Sequence, residues 1–501
     1  MELAAILAEV VPQGHYVGGI VRNSLLKRQS SDIDITLPAN QVKQVAQTLA
    51  KRLNAASFEM DPELGVWRLV THKDKIQIDL TAYQGKNLKA DLQRRDFAFN
   101  SLAYPVSAKP QLVITPRKND TAHVILKRMR RAAIVDETGG VADVRAKQIR
   151  LNGKTHFRED PLRMLRAFRC AAELKFTITP ATLAQIKKDA ALINQPAGER
   201  IKEELDRLFA VPGVLYDFLL QMDECGLLTA LFPVLEAQRS CAEVYYGKGG
   251  VLKHTLLVCK RMDYVLNHLS KAFPKFASKL TPFVANQPLL KMTALLHDIA
   301  KPATAKMHKG RLRFFYHEQQ GARMARQVLD GLHYSKADSR LICAMIGEHL
   351  RPSNLASNDV LTRRGVYHFF RDLGDAAIAL LFLCWADYTS YVTDDQLRRI
   401  LPKSGERLMT IAQAERYKNV GKTLRHLQVL NFMLEQYFER PTLVKPDKIL
   451  TGVDVMNVLH LKPGPQVGEI LETVAEAQVE GKIRTRADAL AFIKTLPGAG
   501  K

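Results

Sequence analysis

Eight residues separate the stretch Gly18-Gly19-Ile20-Val21-Arg22-Asn23 from Asp32-Ile33-Asp34-Ile35. That spacing limits the possible folds more than any other feature of the chain. The apolar residues before Gly18 read as a strand, the glycine pair as a tight turn, and the following residues as a helix. The aspartates then fall on a second strand. Side chains at i and i+2 of a strand share a face, so Asp32 and Asp34 stand side by side. Two adjacent carboxylates are what a pair of Mg²⁺ ions needs to bridge an attacking oxygen and a triphosphate. An Asp-x-Asp alone is usually a solvated edge strand. Here Gly18 and Gly19 let backbone approach a phosphate, and Arg22 lies in the first helical turn, within reach of the same anion.

Further strand signals follow in VWRLVTH and IQIDLTAY, a hairpin turning at His72 to Lys75, with a helix expected from Gln41 to Leu53. Beyond about Asp160 the pattern is almost wholly helical. The class is therefore α+β: a head with a mixed sheet plus helices over 1–150, then a helical neck over 151–240, a helical domain over 241–400 and a helical tail over 401–501. The chain's 501 residues are too many for one core. Lys and Arg total 73 against 51 acids, leaving a net charge of +22, which favours a polyanionic partner such as nucleic acid. No apolar run is long enough to span a bilayer; the longest, Ala376 to Ala386, stops at Asp387 and reads as a buried helix. The N-terminus lacks the basic region of a signal peptide. Six scattered cysteines form no Cys-x-x-Cys pair. A cytoplasmic protein with no membrane partner is expected.

Two more clusters carry chemistry. In RRDFAFNSLA, Arg95 is a candidate for the triphosphate, and Asp96 or Asn100 for the ribose, where contact with the 2′-hydroxyl separates ribo- from deoxynucleotides. In FREDPLRMLRAFR, Asp160 and Arg163 are expected at i and i+3 on one helix face. A carboxylate accepts from an exocyclic amine, and a guanidinium donates to ring acceptors. Cytosine and adenine both offer an amine beside a ring acceptor, so such a pair accepts C and A and rejects U and G. Arg166 and Arg169, on the same segment, are further candidates for the nucleotide. The stretch Pro105 to Ala133 is basic, with Lys127, Arg128, Arg130 and Arg131 clustered as candidate RNA contacts. It reads equally as an RNA-contacting insertion or a solvated loop.

Together, Gly18-Gly19-x-Val21-Arg22, Asp32-x-Asp34, Arg94-Arg95-Asp96-Phe97, Asp136 with Gly139-Gly140 and Asp143, Glu159-Asp160-x-x-Arg163 and Gly198-Glu199-Arg200-Ile201 closely resemble the class II tRNA nucleotidyltransferases (CCA-adding enzymes) and the related bacterial poly(A) polymerases. The resemblance covers roughly residues 10–235. It implies that Asp32 and Asp34 bind catalytic Mg²⁺, that Arg95 and Asp96 meet the nucleotide, and that Glu159, Asp160 and Arg163 template the base. The implied substrates are tRNA, CTP and ATP, with CCA addition first; A-only or CC-only addition and poly(A) synthesis remain alternatives. The departures are Ala98 and Ser101 in RRDFAFNS, and the longer 105–133 connector.

The middle of the chain holds His254, the doublet His297-Asp298 in LLHDIAKP, then His317, His349 and Asp387. Imidazoles and carboxylates suit a transition or mixed metal ion able to activate water. Residues from about 245 to 395 resemble the HD-type metal-dependent phosphohydrolases, which implies that His254, His297, Asp298 and Asp387 are ligands, with His317 and His349 at additional positions. The implied metals are Mn²⁺, Ni²⁺ or Co²⁺, and the implied activity is hydrolysis of phosphate at RNA ends. A hydrolase using the head as an RNA platform, and a protein uridylyltransferase, are the alternatives of other classes; the intact Asp32 and Asp34 weigh against the first, and RRDF with EDPLR against the second. Lys462, Gly464, Gly468 and Lys482 in the tail suit either RNA backbone contacts or a helical cap.

Overall fold

The computed structural model describes residues 3–117, 120–153 and 156–496. It divides into two compact units, Met1–Glu204 with Met222–Leu231, and Leu205–Gln221 with Phe232–Lys501.

The first unit opens with helix α1 (Leu3–Val10), strand β1 (His15–Val17), helix α2 (Gly19–Leu25) and strand β2 (Asp32–Leu37), in the order the glycine and aspartate spacing predicts. Helix α3 (Val42–Leu53) presents Val42, Ala46 and Leu49 on one buried face and ends where Asn54 turns left-handed at φ 48°. Strands β3 (Ala55–Asp61), β4 (Val66–Thr71) and β5 (Gln77–Ala82) follow, then α4 (Leu88–Arg94), β6 (Leu102–Pro105), β7 (Gln111–Arg117), β8 (Asp120–Lys127) and β9 (Val135–Asp136). Seven strands make the main sheet in the order β3-β4-β5-β2-β1-β6-β9. Only β2 and β5 pair in parallel there; the other neighbours are antiparallel. Ile33, Ile35, Leu69, Ile78 and Leu80 are fully buried. They alternate with polar positions, and α3 packs across β3, β4 and β5.

The basic 105–133 stretch is not a solvated loop. Strands β7 and β8 pair with each other, and β8 docks on α2 and β2. Val124 bridges Ser30, and the Leu126 amide donates to Ser24 Oγ at 2.9 Å. Leu112, Ala122, Val124 and Leu126 are buried by this contact. Lys127, Arg128, Arg130 and Arg131 remain exposed at its end.

Helix α5 (Gly140–Ala146) explains the Asp136 and Gly139-Gly140 motif. Asp136 Oδ1 and Oδ2 accept from the amides of Gly140 (2.7 Å) and Val141 (2.9 Å). A Cβ at Gly140 would lie 2.0 Å from the Ala98 carbonyl oxygen. Glycine is required for this helix start to abut the turn that carries Asp96 and Asn100. The helices α6 (His156–Glu159) and α7 (Arg163–Leu174) come next.

The second unit is helical around the apolar helix Ala376–Ser390, buried on nearly every side as its sequence demands. Helices Gly250–Asn267, Gln287–Leu296 and Lys336–Gly347 pack against it. Lys291 is buried within this packing, its Nζ 2.7 Å from both Asp263 Oδ1 and the Phe209 carbonyl. The tail closes a small core of its own from Leu450, Val455, Leu459, Val474, Ala477, Ile483 and Ile493. Two of its helices start on Thr-x-x-Asp capping boxes, Thr451 with Asp454 and Thr485 with Asp488. The six cysteines are unpaired. Among the described residues no helix is long and apolar enough to cross a membrane.

Candidate functional site

The parallel register of β2 on β5 sets Asp34 opposite Asp79 and Asp32 opposite Gln77. Asp32, Asp34 and Asp79 therefore lie on one face, each half-buried, with an oxygen from each within 4.8 Å of the others. Burial and the charges of Asp32 and Asp79 raise the Asp34 carboxyl to about 7, an effect that Arg95 and Arg22 offset in part. Burial and Asp79 also raise Asp32. Three converging carboxylate oxygens fit a hard divalent cation, whose charge removes their repulsion. Asp79 was not among the residues singled out from the sequence. Its signal is modest: a polar residue alternating with Ile78 and Leu80, joined to the Asp-x-Asp only by strand pairing. Arg68, opposite it on β4, holds it through Nε and Nη2, both at 2.8 Å.

Gly18, at φ 65°, brings the turn against this face: a Cβ there would lie 3.5 Å from Arg95 Nη1 and 3.8 Å from Asp34 Oδ2. Arg95 is aimed by buried Asp91, whose Oδ2 accepts from its Nε (3.1 Å) and Nη2 (3.0 Å). Arg22 donates to Asn100 Oδ1 at 2.5 Å and lies over the Phe99 ring. Gly18, Gly19, Arg22, Arg95 and Asn100 thus gather around the carboxylates.

Other candidates are used differently. Asp96 is buried; it accepts from the Phe97 amide at 2.8 Å and Asn100 Nδ2 at 3.3 Å, and faces Arg166 at 3.2 Å. Burial acts to raise its carboxyl, but Arg166 and these donors outweigh it and hold it low. Arg166 also meets Glu204 at 3.4 Å, and buried Arg169 is clamped by Glu204 (2.5 Å) and Glu173 (2.8 Å). Arg169 is thus occupied inside the unit, where the sequence alone suggested a nucleotide contact. Asp160 and Arg163 do not share a helix face. The chain breaks at Asp160-Pro161-Leu162 between α6 and α7, because proline disfavours helical geometry in the residue before it. Asp160 instead caps the next turn, accepting from the Leu162 amide at 3.3 Å, and lies 3.5 Å from Arg200. Arg163 opens α7; it donates to the Arg94 carbonyl at 3.3 Å and lies 3.8 Å from Glu159. Ser101 is fully buried, donating to the Phe97 carbonyl (2.9 Å) and accepting from Asn152 (2.5 Å), so this departure from the family pattern supports the turn from behind.

In the second unit the six His and Asp candidates converge. Two groups share Asp298: His254 with His297, and His317 with His349. His254 Nε2 is 3.3 Å from Asp298 Oδ2 and 3.2 Å from Asp387 Oδ1; His297 Nε2 is 3.2 Å from Asp298 Oδ2; His317 and His349 Nε2 lie 3.6 and 3.8 Å from Asp298 Oδ1. The Nε2 atoms of His254, His297 and His317, both Asp298 oxygens and Asp387 Oδ1 are buried without a hydrogen-bond partner.

The other ring nitrogens are all engaged. Nδ1 of His297, His317 and His349 points at the carbonyl three residues back, Ala294 (2.8 Å), Phe314 (2.7 Å) and Ile346 (2.7 Å). A carbonyl only accepts, so Nδ1 carries a proton and Nε2 is turned toward the carboxylates. His254 Nδ1 meets Ser390 Oγ at 3.2 Å, and that hydroxyl already donates to the Asp387 carbonyl, so His254 is set the same way. Burial, then the neighbouring His297 and His317, pull His349 down to about 4. Lys301 offsets part of the Asp298 charge, and the mixed His and Asp donor set gathered around it fits a transition metal. Lys301 lies 2.5 Å from Asp298 Oδ2 and donates to Tyr246 Oη at 2.8 Å.

Family models match along the chain: the poly A polymerase head domain over 15–150, the probable RNA and SrmB-binding site of polymerase A over 175–239, the HD domain over 251–392, and the putative tRNA nucleotidyltransferase domain 2 over 403–493. An A-adding tRNA nucleotidyltransferase of Deinococcus radiodurans is 28% identical, covering 96% of this chain and 95% of its own length. A CC-adding tRNA nucleotidyltransferase of Geobacter sulfurreducens is 27% identical, covering 98% and 94%. The solved Thermotoga maritima CCA-adding enzyme complexed with tRNA shares the fold, with a TM-score of 0.58 at 17% identity over 98% of this chain and 94% of that one.

The paired groups around Asp298 lead to a measurable expectation. Metal analysis of the purified full chain should find up to two transition-metal ions. His317→Ala with His349→Ala should remove about half, and His297→Ala with Asp298→Ala all of it. Unchanged metal content in both variants would place the ions elsewhere.

Proposed function

The chain belongs to the family of tRNA nucleotidyltransferases and bacterial poly(A) polymerases, and we propose that it extends tRNA 3′ ends with C and A residues drawn from CTP and ATP. The observation that carries this reading is the row of Asp32, Asp34 and Asp79 beside Arg22 and Arg95. The RNA 3′-hydroxyl attacks the α-phosphate in line. An O3′–P bond forms, the bond from the α-phosphorus to the bridging oxygen breaks, pyrophosphate leaves, and the hydroxyl proton is lost to solvent. Asp32, Asp34 and Asp79 would hold Mg²⁺, which would supply positive charge against the hydroxyl and the triphosphate. Gly18 and Gly19 give the phosphates access to backbone, and Arg22 and Arg95 supply fixed positive charge. Asn100 and Asp96 shape the ribose side, Asp96 from behind because its oxygens are engaged. Asp160 and Arg163 read the base edge from either side of the α6–α7 break, with Glu159 orienting Arg163; Arg166 supports Asp96. The exposed Lys127, Arg128, Arg130 and Arg131 add RNA phosphate contacts.

The His and Asp centre is a second, hydrolytic site, using Mn²⁺, Ni²⁺ or Co²⁺ on phosphate at an RNA end. The orphaned ligand atoms support this. Unpaired cysteines fit a cytoplasmic setting. The four-part division at residues 150, 240 and 400 assigns the head to transfer, the neck to nucleotide and RNA, the third part to hydrolysis and the tail to tRNA.

One assay decides the product. tRNA ending at the discriminator base, at C or at CC is supplied with CTP, ATP or both. The proposal expects C on the first two and A on the third. Addition confined to one nucleotide would make this a CC- or A-adding enzyme, and long A tracts a poly(A) polymerase. Asp32→Ala or Asp34→Ala should abolish addition while tRNA binding, which rests on Lys and Arg contacts, changes little. Turnover near wild type in the double variant would end the assignment.

Base choice has its own test. Arg163→Ala should relax discrimination against UTP and GTP by one to two decades, since a charge-assisted contact is worth about 1.5–3 kcal/mol. Equal loss for all four nucleotides would reduce α7 to a scaffold.

A further inference from the structure

The mouth of the His and Asp centre is built unlike its interior. Strands Ala305–His308 and Arg311–Phe314 form a hairpin in simple register, Ala305 opposite Phe314 and His308 opposite Arg311. From Ala305 to Tyr316 the chain carries Lys306, Lys309, Arg311 and Arg313 and no acid. All four cations are exposed. So are large apolar groups: Met307 at 64%, Phe315 at 49% and Tyr316 at 70%. Tyr245 stands alongside, 51% exposed, its hydroxyl donating to the Leu312 carbonyl at 2.9 Å. Aromatic surface left in water beside concentrated positive charge marks a binding face.

This hairpin is wired to the metal centre. The Phe314 carbonyl fixes His317 Nδ1 at 2.7 Å. The Phe314 ring centre is 5.7 Å from Lys301 Nζ, which itself reaches Asp298. A cavity of about 290 Å³ opens between Tyr245, Leu312, Arg313, Phe314, Phe315 and His317. Its lining thus joins a candidate ligand, His317, to aromatic rings, Leu312 and one guanidinium, and its volume lies at the low end for small-molecule sites. A single nucleobase fits that description.

We propose that the hairpin and Tyr245 clamp the single-stranded end of a polynucleotide, stacking its terminal base in this cavity so that its terminal phosphate faces the His and Asp centre. Lys306, Lys309 and Arg311 follow the phosphates upstream. This rests on the hydrolytic reading of that centre and adds to it how the RNA end is held, and why it is preferred to a free nucleotide. A mononucleotide needs the cavity alone and leaves those three cations without a task. Base stacking on aromatic side chains tolerates any sequence, which suits a site that must accept different ends. An anionic membrane would also attract cations and aromatic rings, but a flat surface makes no use of a cavity lined by a buried histidine.

The test uses the full chain and two substrates with a 2′,3′-cyclic phosphate: an RNA decamer whose terminal base is 2-aminopurine, and the mononucleotide. In chelator, wild-type protein should quench the 2-aminopurine, and Tyr245→Ala with Phe315→Ala should restore most of the fluorescence. With metal, Lys306→Gln, Lys309→Gln and Arg311→Gln together should lower the ratio of kcat/KM for decamer over mononucleotide about tenfold, and flatten the salt dependence of log K for the decamer by about 2. Quenching and ratio both unchanged would overturn the clamp, as would capture of wild type but not the variants by anionic vesicles without quenching. Absence of hydrolysis of either substrate by the metal-loaded wild type would instead end the hydrolytic reading, while the quenching still judges the clamp.

Discussion

Parallel pairing of two short strands decides what the head of this protein can do. β2 and β5 are far apart in sequence, yet their register places Asp34 beside Asp79 with Asp32 two residues along the same face. That arrangement opposes folding: half-buried like charges repel, and burial penalises each ionised carboxylate. Arg68 offsets part of this by holding Asp79, and Arg95 and Arg22 offset part at Asp34. The rest is left for a cation. The surrounding structure serves this face. Gly18 lets the turn close on it, Asp91 aims Arg95, and the close contact of Gly140 with Ala98 seats the turn bearing Asn100.

The helical unit solves a related problem with different chemistry. Its candidate ligands are imidazoles and carboxylates, and each imidazole is fixed through Nδ1 so that Nε2 faces the cluster. Three use the carbonyl three residues behind them, a device that needs only a helix end or a turn at the histidine. The apolar helix Ala376–Ser390 carries Asp387 into this cluster, 3.2 Å from His254. The two sites thus sort by donor: oxygen alone in the head, nitrogen and oxygen in the helical unit.

Much of this was legible because it is local. Gly18-Gly19, Asp32-x-Asp34 and His297-Asp298 each declare themselves within one strand, turn or helix. The scattered His254, His317, His349 and Asp387 were legible only as residue types on successive helices, and the fold brings them together. Asp79 was not legible, because only strand register joins it to its partners. Arg169 misled: a basic residue near a motif looks like a phosphate ligand until Glu204, from a distant helix, is seen to hold it. The face shared by Asp160 and Arg163 failed for a local reason, Pro161, whose effect on the preceding residue outweighs the helical spacing. The hairpin of β7 and β8 was hidden by its charge, since the four cations at its end obscure the alternation that buries Val124 and Leu126.

The central claim is that the three carboxylates form a cation site whose repulsion the protein tolerates until the ion arrives. A group whose folded pKa is raised lowers stability as pH climbs from its unfolded value through its folded one. Asp34 should therefore cost the metal-free protein stability between about pH 4 and 7 and above. The most direct measurement is the melting temperature of the head transition near pH 8, for wild type and Asp34→Asn, with chelator and with Mg²⁺. The account predicts a crossover: the variant melts higher in chelator, and the wild type gains more from Mg²⁺ and overtakes it. Equal Mg²⁺ gains in the two proteins, with no advantage to the variant in chelator, would contradict it.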